Sequence, residues 1–135
     1  MMGALCGHAI ASIALWALLV LCLSGLSTLG KARVRCDCGR PKRDYSDPVY
    51  RRERAFQNAL ETSAPFLAAT LTAIASGAAP VWVNLLASVF LVSRIFMAAV
   101  HIKTEIQPLR SALYGIGWLC IIGLALLALV AVFFG

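Results

Sequence analysis

Arg51, Arg54, Asn58 and Glu61 are spaced by three, four and three residues, the interval that lines side chains along one face of an α-helix. Together they offer forked cationic donors, an amide and a carboxylate. Such a set suits a small anionic ligand that carries hydrogen-bonding groups of its own, with Arg donating to carboxylates and Glu61 accepting from an ammonium. The stripe runs straight into apolar sequence. Ionisable residues inside a membrane span cost about 2.5–3.5 kcal/mol each near the centre on insertion scales, so by default they mark a site. Further candidates are Arg33 ahead of the stripe, Arg94 and His101 in a later apolar stretch, and Arg110, Ser111 and Tyr114 at the start of the last one.

The elements that must position these residues follow from composition. Of 135 residues, 61% are hydrophobic and only 13% charged, which places the chain among membrane proteins. Apolar stretches at about 3–29, 55–77, 80–102 and 109–134 each approach the ~20 residues that cross ~30 Å of hydrocarbon. The expectation is a single all-α domain over 1–135: a four-transmembrane-helix bundle with helices at about 3–29, 51–77, 80–102 and 109–134 and a polar loop at about 30–50. The second helix starts as a basic turn, with Asp47 as its cap and Pro48 in its first turn, and Pro65 interrupts its hydrogen bonding. The first stretch is read as a retained helix, since Met1 to Gly7 carry no Lys or Arg to open a signal peptide.

Charge sets the expected topology. Nine of the twelve Lys and Arg residues lie between Lys31 and Arg54, and Lys103 and Arg110 flank the third connection, while Gly77–Pro80 has no charge. The positive-inside rule then puts the first and third connections in the cytoplasm and both termini on the opposite side. The net charge of +6 reflects this topology and contact with anionic headgroups. Without aromatic interleaving or a compact basic helix, it does not point to nucleic acid.

Of the five cysteines, Cys6, Cys22 and Cys120 fall in apolar spans, as small packing residues. Cys36-x-Cys38 lies in the expected cytoplasmic loop, a compartment that argues against a disulfide, and no nearby His or second Cys pair completes a metal site.

Depth decides which groups can meet. At 1.5 Å per residue, Glu61 lies about 10 Å inward from Arg54 and Arg94 about 13 Å inward from Lys103. That match allows an Arg94–Glu61 ion pair, with Arg110 as the competing partner, and the sequence does not choose between them. Structural roles stay open beside the functional ones: Arg51, Arg54 and Arg110 as headgroup anchors, and Asn58, Glu61 and Arg94 as interhelical hydrogen bonds that hold the bundle.

Arg51-x-x-Arg54-Ala55-x-x-Asn58-x-x-Glu61 followed by Pro65-Phe66 resembles the signature of the membrane-associated proteins in eicosanoid and glutathione metabolism, the MAPEG family. Gly30-Lys31-Ala32-Arg33-Val34-Arg35, Arg94, and Pro108-Leu109-Arg110-Ser111 with Tyr114 match in register. The last group is more similar to the branch of microsomal prostaglandin E synthase and microsomal glutathione transferase than to the leukotriene-C synthase branch. The chain departs from the pattern at Phe56 and Gln57, and at His101, where Tyr is usual.

The resemblance implies a homotrimer that binds glutathione between subunits near the cytoplasmic face and takes a lipophilic second substrate from the membrane lipids around it. By similarity, Asn58 and Glu61 hold the peptide's polar groups, Arg33 and Arg54 assist, and Arg94, His101 and Tyr114 belong to the pocket. Arg110 stabilises the thiolate, with Ser111 beside it. A free thiol is only a few per cent ionised at neutral pH, so a fixed cation has chemical value there. The implied activity is a glutathione-dependent transferase or peroxidase. A noncatalytic lipid-binding or scaffold protein of the same fold is the alternative, and a small multidrug-type transporter fits less well, because the seam holds more cations than a proton-coupled site wants.

Overall fold

A computed structural model describes residues 5–135. Four helices follow one another: α1 Gly7–Ser27, α2 Pro48–Ala75, α3 Pro80–Lys103 and α4 Gln107–Phe134. The expected start of the first helix at residue 3 lies outside the described residues. Helix α2 begins a turn earlier than 51 and α4 two residues earlier than 109, each with a proline in its first turn, where a missing N–H leaves no hydrogen bond unmade.

Helices α1, α3 and α4 are each long and apolar enough to cross a membrane, and the protein is an integral membrane protein. Helix α2 is as long as α4, but its first half carries the charged stripe; it packs against all three others. α1 and α4 flank the α2–α3 pair.

Aromatic side chains and alanines hold the bundle together. Phe66 and Phe90 stack at 3.8 Å between ring centroids, and Trp16 meets both edge-on at 6.3 and 5.1 Å. The Trp16 indole N–H donates to Ser63 Oγ at 3.0 Å, so the one polar atom of that ring is satisfied away from water. Ala55, Ala59, Ala69, Ala73, Ala87 and Ala98 are buried between helices, where small side chains let backbones approach. At the far end Asn84 accepts from the Ala9 N–H and donates to the Leu5 carbonyl, at 2.9 and 2.8 Å, fastening the start of α1 to α3.

One carboxylate pins both ends of the long connection. Asp47 Oδ1 accepts from the Val49 N–H at 2.9 Å, capping α2 as expected, while Oδ2 accepts from the Arg33 N–H at 3.0 Å. These hydrogen bonds hold the Asp47 carboxyl below its ordinary pKa, the one from Arg33 most strongly.

One expectation is corrected in this region, and one open role is decided. Cys36 and Cys38 are joined as a disulfide, because the chain between them turns back in a small hairpin. The compartment argument concerned whether such a bond persists, and local geometry decides whether the sulfurs meet. Arg51 is not a loose headgroup anchor: its guanidinium donates to the carbonyls of Ile102, Tyr45 and Ser46 at 3.1, 2.6 and 3.3 Å and pairs with Glu105 at 3.5 Å. It ties the first connection to the third.

Candidate functional site

The stripe on α2 forms one wall of a cleft of about 510 Å³ that α3, α4 and the two polar connections complete. Arg54, Asn58 and Glu61 come from α2, Met97 and His101 from α3, and Arg110, Ser111 and Tyr114 from the first two turns of α4. Helical spacing accounts for each set. Pro108 starts α4 just before Arg110, so the residues that follow at positions 111 and 114 are carried into the cleft by the same helix.

Hydrogen bonds fix the α2 wall. Arg54 Nη2 donates to Asn58 Oδ1 at 3.2 Å, and Arg54 Nη1 lies 3.6 Å from Glu61 Oε1. Asn58 Nδ2 lies 2.8 Å from His101 Nε2 and links α2 to α3. Asn58 and His101 are buried, while Glu61 stands at the open edge with its side chain 49% exposed.

Arg110 is 7% exposed, and its guanidinium lies over the Tyr45 ring at 4.1 Å. Its Nη1 is buried and donates to no acceptor among the described residues. Among the described residues, the two carboxylates of the cleft are taken by other cations, Glu61 by Arg54 and Glu105 by Arg51. Arg110 therefore faces the cleft with no counter-ion, and a buried unpaired guanidinium gains most from an anion.

Among the described residues Arg94 pairs with no acid, so the ion pair with Glu61 that the depth argument allowed does not form. Its guanidinium lies between the rings of Phe90 and Tyr114, at 5.3 and 4.8 Å from their centroids, with Nη1 3.0 Å from Met97 Sδ. Two aromatic faces stand in for the carboxylate. Arg94 is thus beneath the cleft wall, supporting Tyr114, and does not line the cavity. Arg33 is also elsewhere: its Nη1 reaches Ser46 Oγ at 3.4 Å and it lines a separate depression with Lys42 and Asp44.

Arg43, Tyr45, Met97, Glu105 and Gln107 line the cleft without having been singled out in the sequence. Arg43 and Tyr45 arrive because the loop folds back over α4, which no periodicity announces. Gln107 and Glu105 had a weak signal, in their closeness to Pro108 and Arg110. Among the described residues no group of three metal-ligating side chains converges.

The residue set fits a ligand with anionic ends and an ammonium, since the unpaired donor of Arg110 shares the cavity with the exposed carboxylates of Glu61 and Glu105. Residues 7–130 match the MAPEG family, and the chain belongs to that family. No individual curated protein and no solved structure matches it at a significant level.

Proposed function

We propose that this MAPEG member is a glutathione-dependent membrane transferase or peroxidase acting on lipophilic electrophiles, with the α1–α2 and α3–α4 connections in the cytoplasm. The observation that carries this reading is the buried Nη1 of Arg110, without a partner among the described residues, in a cleft whose carboxylates are already paired.

When bound, glutathione supplies the thiol that becomes the nucleophile. Arg54 and Asn58 orient its polar groups, Glu61 accepts from its ammonium, and Arg110 holds negative charge on sulfur, with the Ser111 hydroxyl adjacent. Tyr114 closes the inner wall, and Arg94 stacked beneath it keeps that ring in place. A fixed cation raises the thiolate fraction at neutral pH, so the role of Arg110 is electrostatic and needs no proton transfer of its own.

The lipophilic partner has an apolar approach. Val89, Val92, Phe96, Leu113 and Ile116 form an outward-facing groove of about 360 Å³ between α3 and α4. Assembly as a homotrimer fits the exposure of the Arg54–Glu61 pair, whose side chains are 33% and 49% open. In a lone bundle that pair would face acyl chains, and a neighbouring copy covers it at less cost.

Titration calorimetry of the detergent-purified protein with glutathione tests the reading, together with conjugation of a chromogenic electrophile. Saturable binding that weakens in Glu61→Ala, and conjugation that falls in Arg110→Ala, are expected. Absence of saturable binding, with Glu61→Ala disrupting assembly instead, would replace it with a lipid-binding or scaffold role.

A further inference from the structure

The first connection holds a thiol pair that the cleft does not use. Cys36 and Cys38 are bonded across one intervening residue, with their Cα atoms 5.3 Å apart, well inside the range a disulfide requires. Backbone hydrogen bonds make the hairpin that brings them together. The Cys36 N–H donates to the Arg40 carbonyl, the Gly39 N–H to the Cys36 carbonyl and the Lys42 N–H to the Val34 carbonyl, all at 2.9 Å. Gly39 turns the chain at φ +79°, in the region that favours glycine, and Arg35 Nη1 ties back to the Gly39 carbonyl at 2.8 Å. Four polar contacts, three of backbone and one of side chain, hold the turn independently of the sulfur bond and keep the two thiols adjacent when it is open.

The surroundings suit exchange chemistry. Cys38 is exposed and Cys36 half-buried, whereas Cys6 and Cys120 are buried and Cys22 lies on α1. Arg35 and Arg40 flank the pair in sequence, with Lys31 and Lys42 nearby, so an anionic reagent is attracted to it and a thiolate formed there is stabilised. On the cytoplasmic side proposed above, a disulfide is transient, serving catalysis or redox sensing.

We propose that Cys36 and Cys38 form a redox-active dithiol–disulfide couple that exchanges with glutathione and its disulfide. In the oxidising direction the Cys38 thiolate attacks one sulfur of glutathione disulfide and expels a glutathione thiolate. The Cys36 thiolate then attacks the Cys38 sulfur of the mixed disulfide, expels the second glutathione and closes the intraloop bond. Two electrons pass to glutathione disulfide, and the two thiol protons end on the two glutathiones released. Excess glutathione runs the same steps backwards. The proposal shares the sidedness given above but makes no use of the cleft.

The test equilibrates full-length protein in nanodiscs at set ratios of glutathione to glutathione disulfide, quenches in acid, alkylates free thiols and reads the peptide bearing both cysteines by mass spectrometry. The peptide is expected to pass reversibly, in one two-electron step, between a doubly alkylated form and an unalkylated form lacking two hydrogens. Cys36→Ser should leave Cys38 carrying glutathione. Arg110→Ala should leave the transition unmoved while conjugation falls, which separates this couple from the cleft. A peptide doubly alkylated at every ratio, one carrying glutathione on each cysteine without the internal bond, or a bond that no ratio reduces would each overturn it.

Discussion

The Asn58 side-chain amide donates to Nε2 of His101 at 2.8 Å, and this hydrogen bond decides which nitrogen of the ring carries the proton. Arg54 holds Asn58 Oδ1 at 3.2 Å, so the amide cannot turn over without losing that donor. Its N–H groups therefore face the imidazole, Nε2 accepts, and in the neutral ring Nδ1 is the protonated position. Nδ1 is buried with no partner among the described residues.

Replacing His101 by Gln keeps an acceptor for Asn58, whereas Phe of similar bulk removes it. A buried amide left unsatisfied costs about 1–3 kcal/mol. His101→Phe should therefore melt earlier in detergent and bind glutathione more weakly than His101→Gln. Identical melting of the two variants would show that the hydrogen bond contributes nothing.

Arg110→Ala should slow conjugation roughly 10- to 100-fold, from the ~1.5–3 kcal/mol that a hydrogen bond to a charged group contributes. The loss should fall on the rate constant more than on glutathione affinity, because the anchoring groups on α2 remain. Thiolate absorbance of the bound tripeptide in the ultraviolet gives a direct reading. Arg110→Lys should recover part of the effect, since it restores charge without the fork. Full activity in the Ala variant would exclude Arg110 from the chemistry.

Gly117 and Gly115 make a matched pair on α4. A Cβ at Gly117 would lie 2.7 Å from Arg94 Nε, while one at Gly115 meets nothing within 4 Å. Because the contact is with the end of a side chain, Gly117→Ala should shift the guanidinium more than the backbone. Arg94 is boxed in by Phe90 and Tyr114, so the cost should be about 1–3 kcal/mol, with the Tyr114 wall of the cleft disturbed. Gly115→Ala should be neutral or stabilising by up to ~1 kcal/mol. Thermal melts and glutathione titrations of both variants check this; equal behaviour would mean that Arg94 relaxes freely.

Asp47 gives an acid dependence. Its carboxyl sits below the ordinary aspartate value because the Arg33 and Val49 N–H groups donate to it. A lowered value in the folded state means the contribution is fully present above the ordinary aspartate range and disappears as pH falls through the folded-state value. Asp47→Ala should lower stability by about 0.5–2 kcal/mol, the usual effect of losing such a cap, and should flatten the fall in melting temperature on acidification below about pH 4. An unchanged acid profile would assign that fall to other groups.

Much of this arrangement was readable beforehand, for identifiable reasons. The stripe of Arg54, Asn58 and Glu61 obeys the helical period, and Asp47-Pro48 is a start signal of local chemistry, so both survive in three dimensions. Arg110, Ser111 and Tyr114 share one helix beginning and arrive together. The setting of Arg94 was not legible, because a depth argument matches charge to charge and is blind to aromatic faces. Tyr45 under Arg110, and the carbonyls gathered by Arg51, depend on where an irregular loop folds back. Non-local backbone acceptors leave no periodic trace in sequence.

The edge-on packing of Trp16 against Phe66 and Phe90 gives the protein an optical reporter. Trp16 is 2% exposed, whereas Trp82 and Trp118 are 55% and 54% exposed. Phe90 in turn lies against Arg94, whose other face meets Tyr114 in the cleft wall. Once the two outer indoles are replaced by Phe, the remaining tryptophan fluorescence comes from a single residue, separated from Tyr114 of the cleft wall by Phe90 and Arg94. Its emission spectrum and anisotropy would register a rearrangement there without any label.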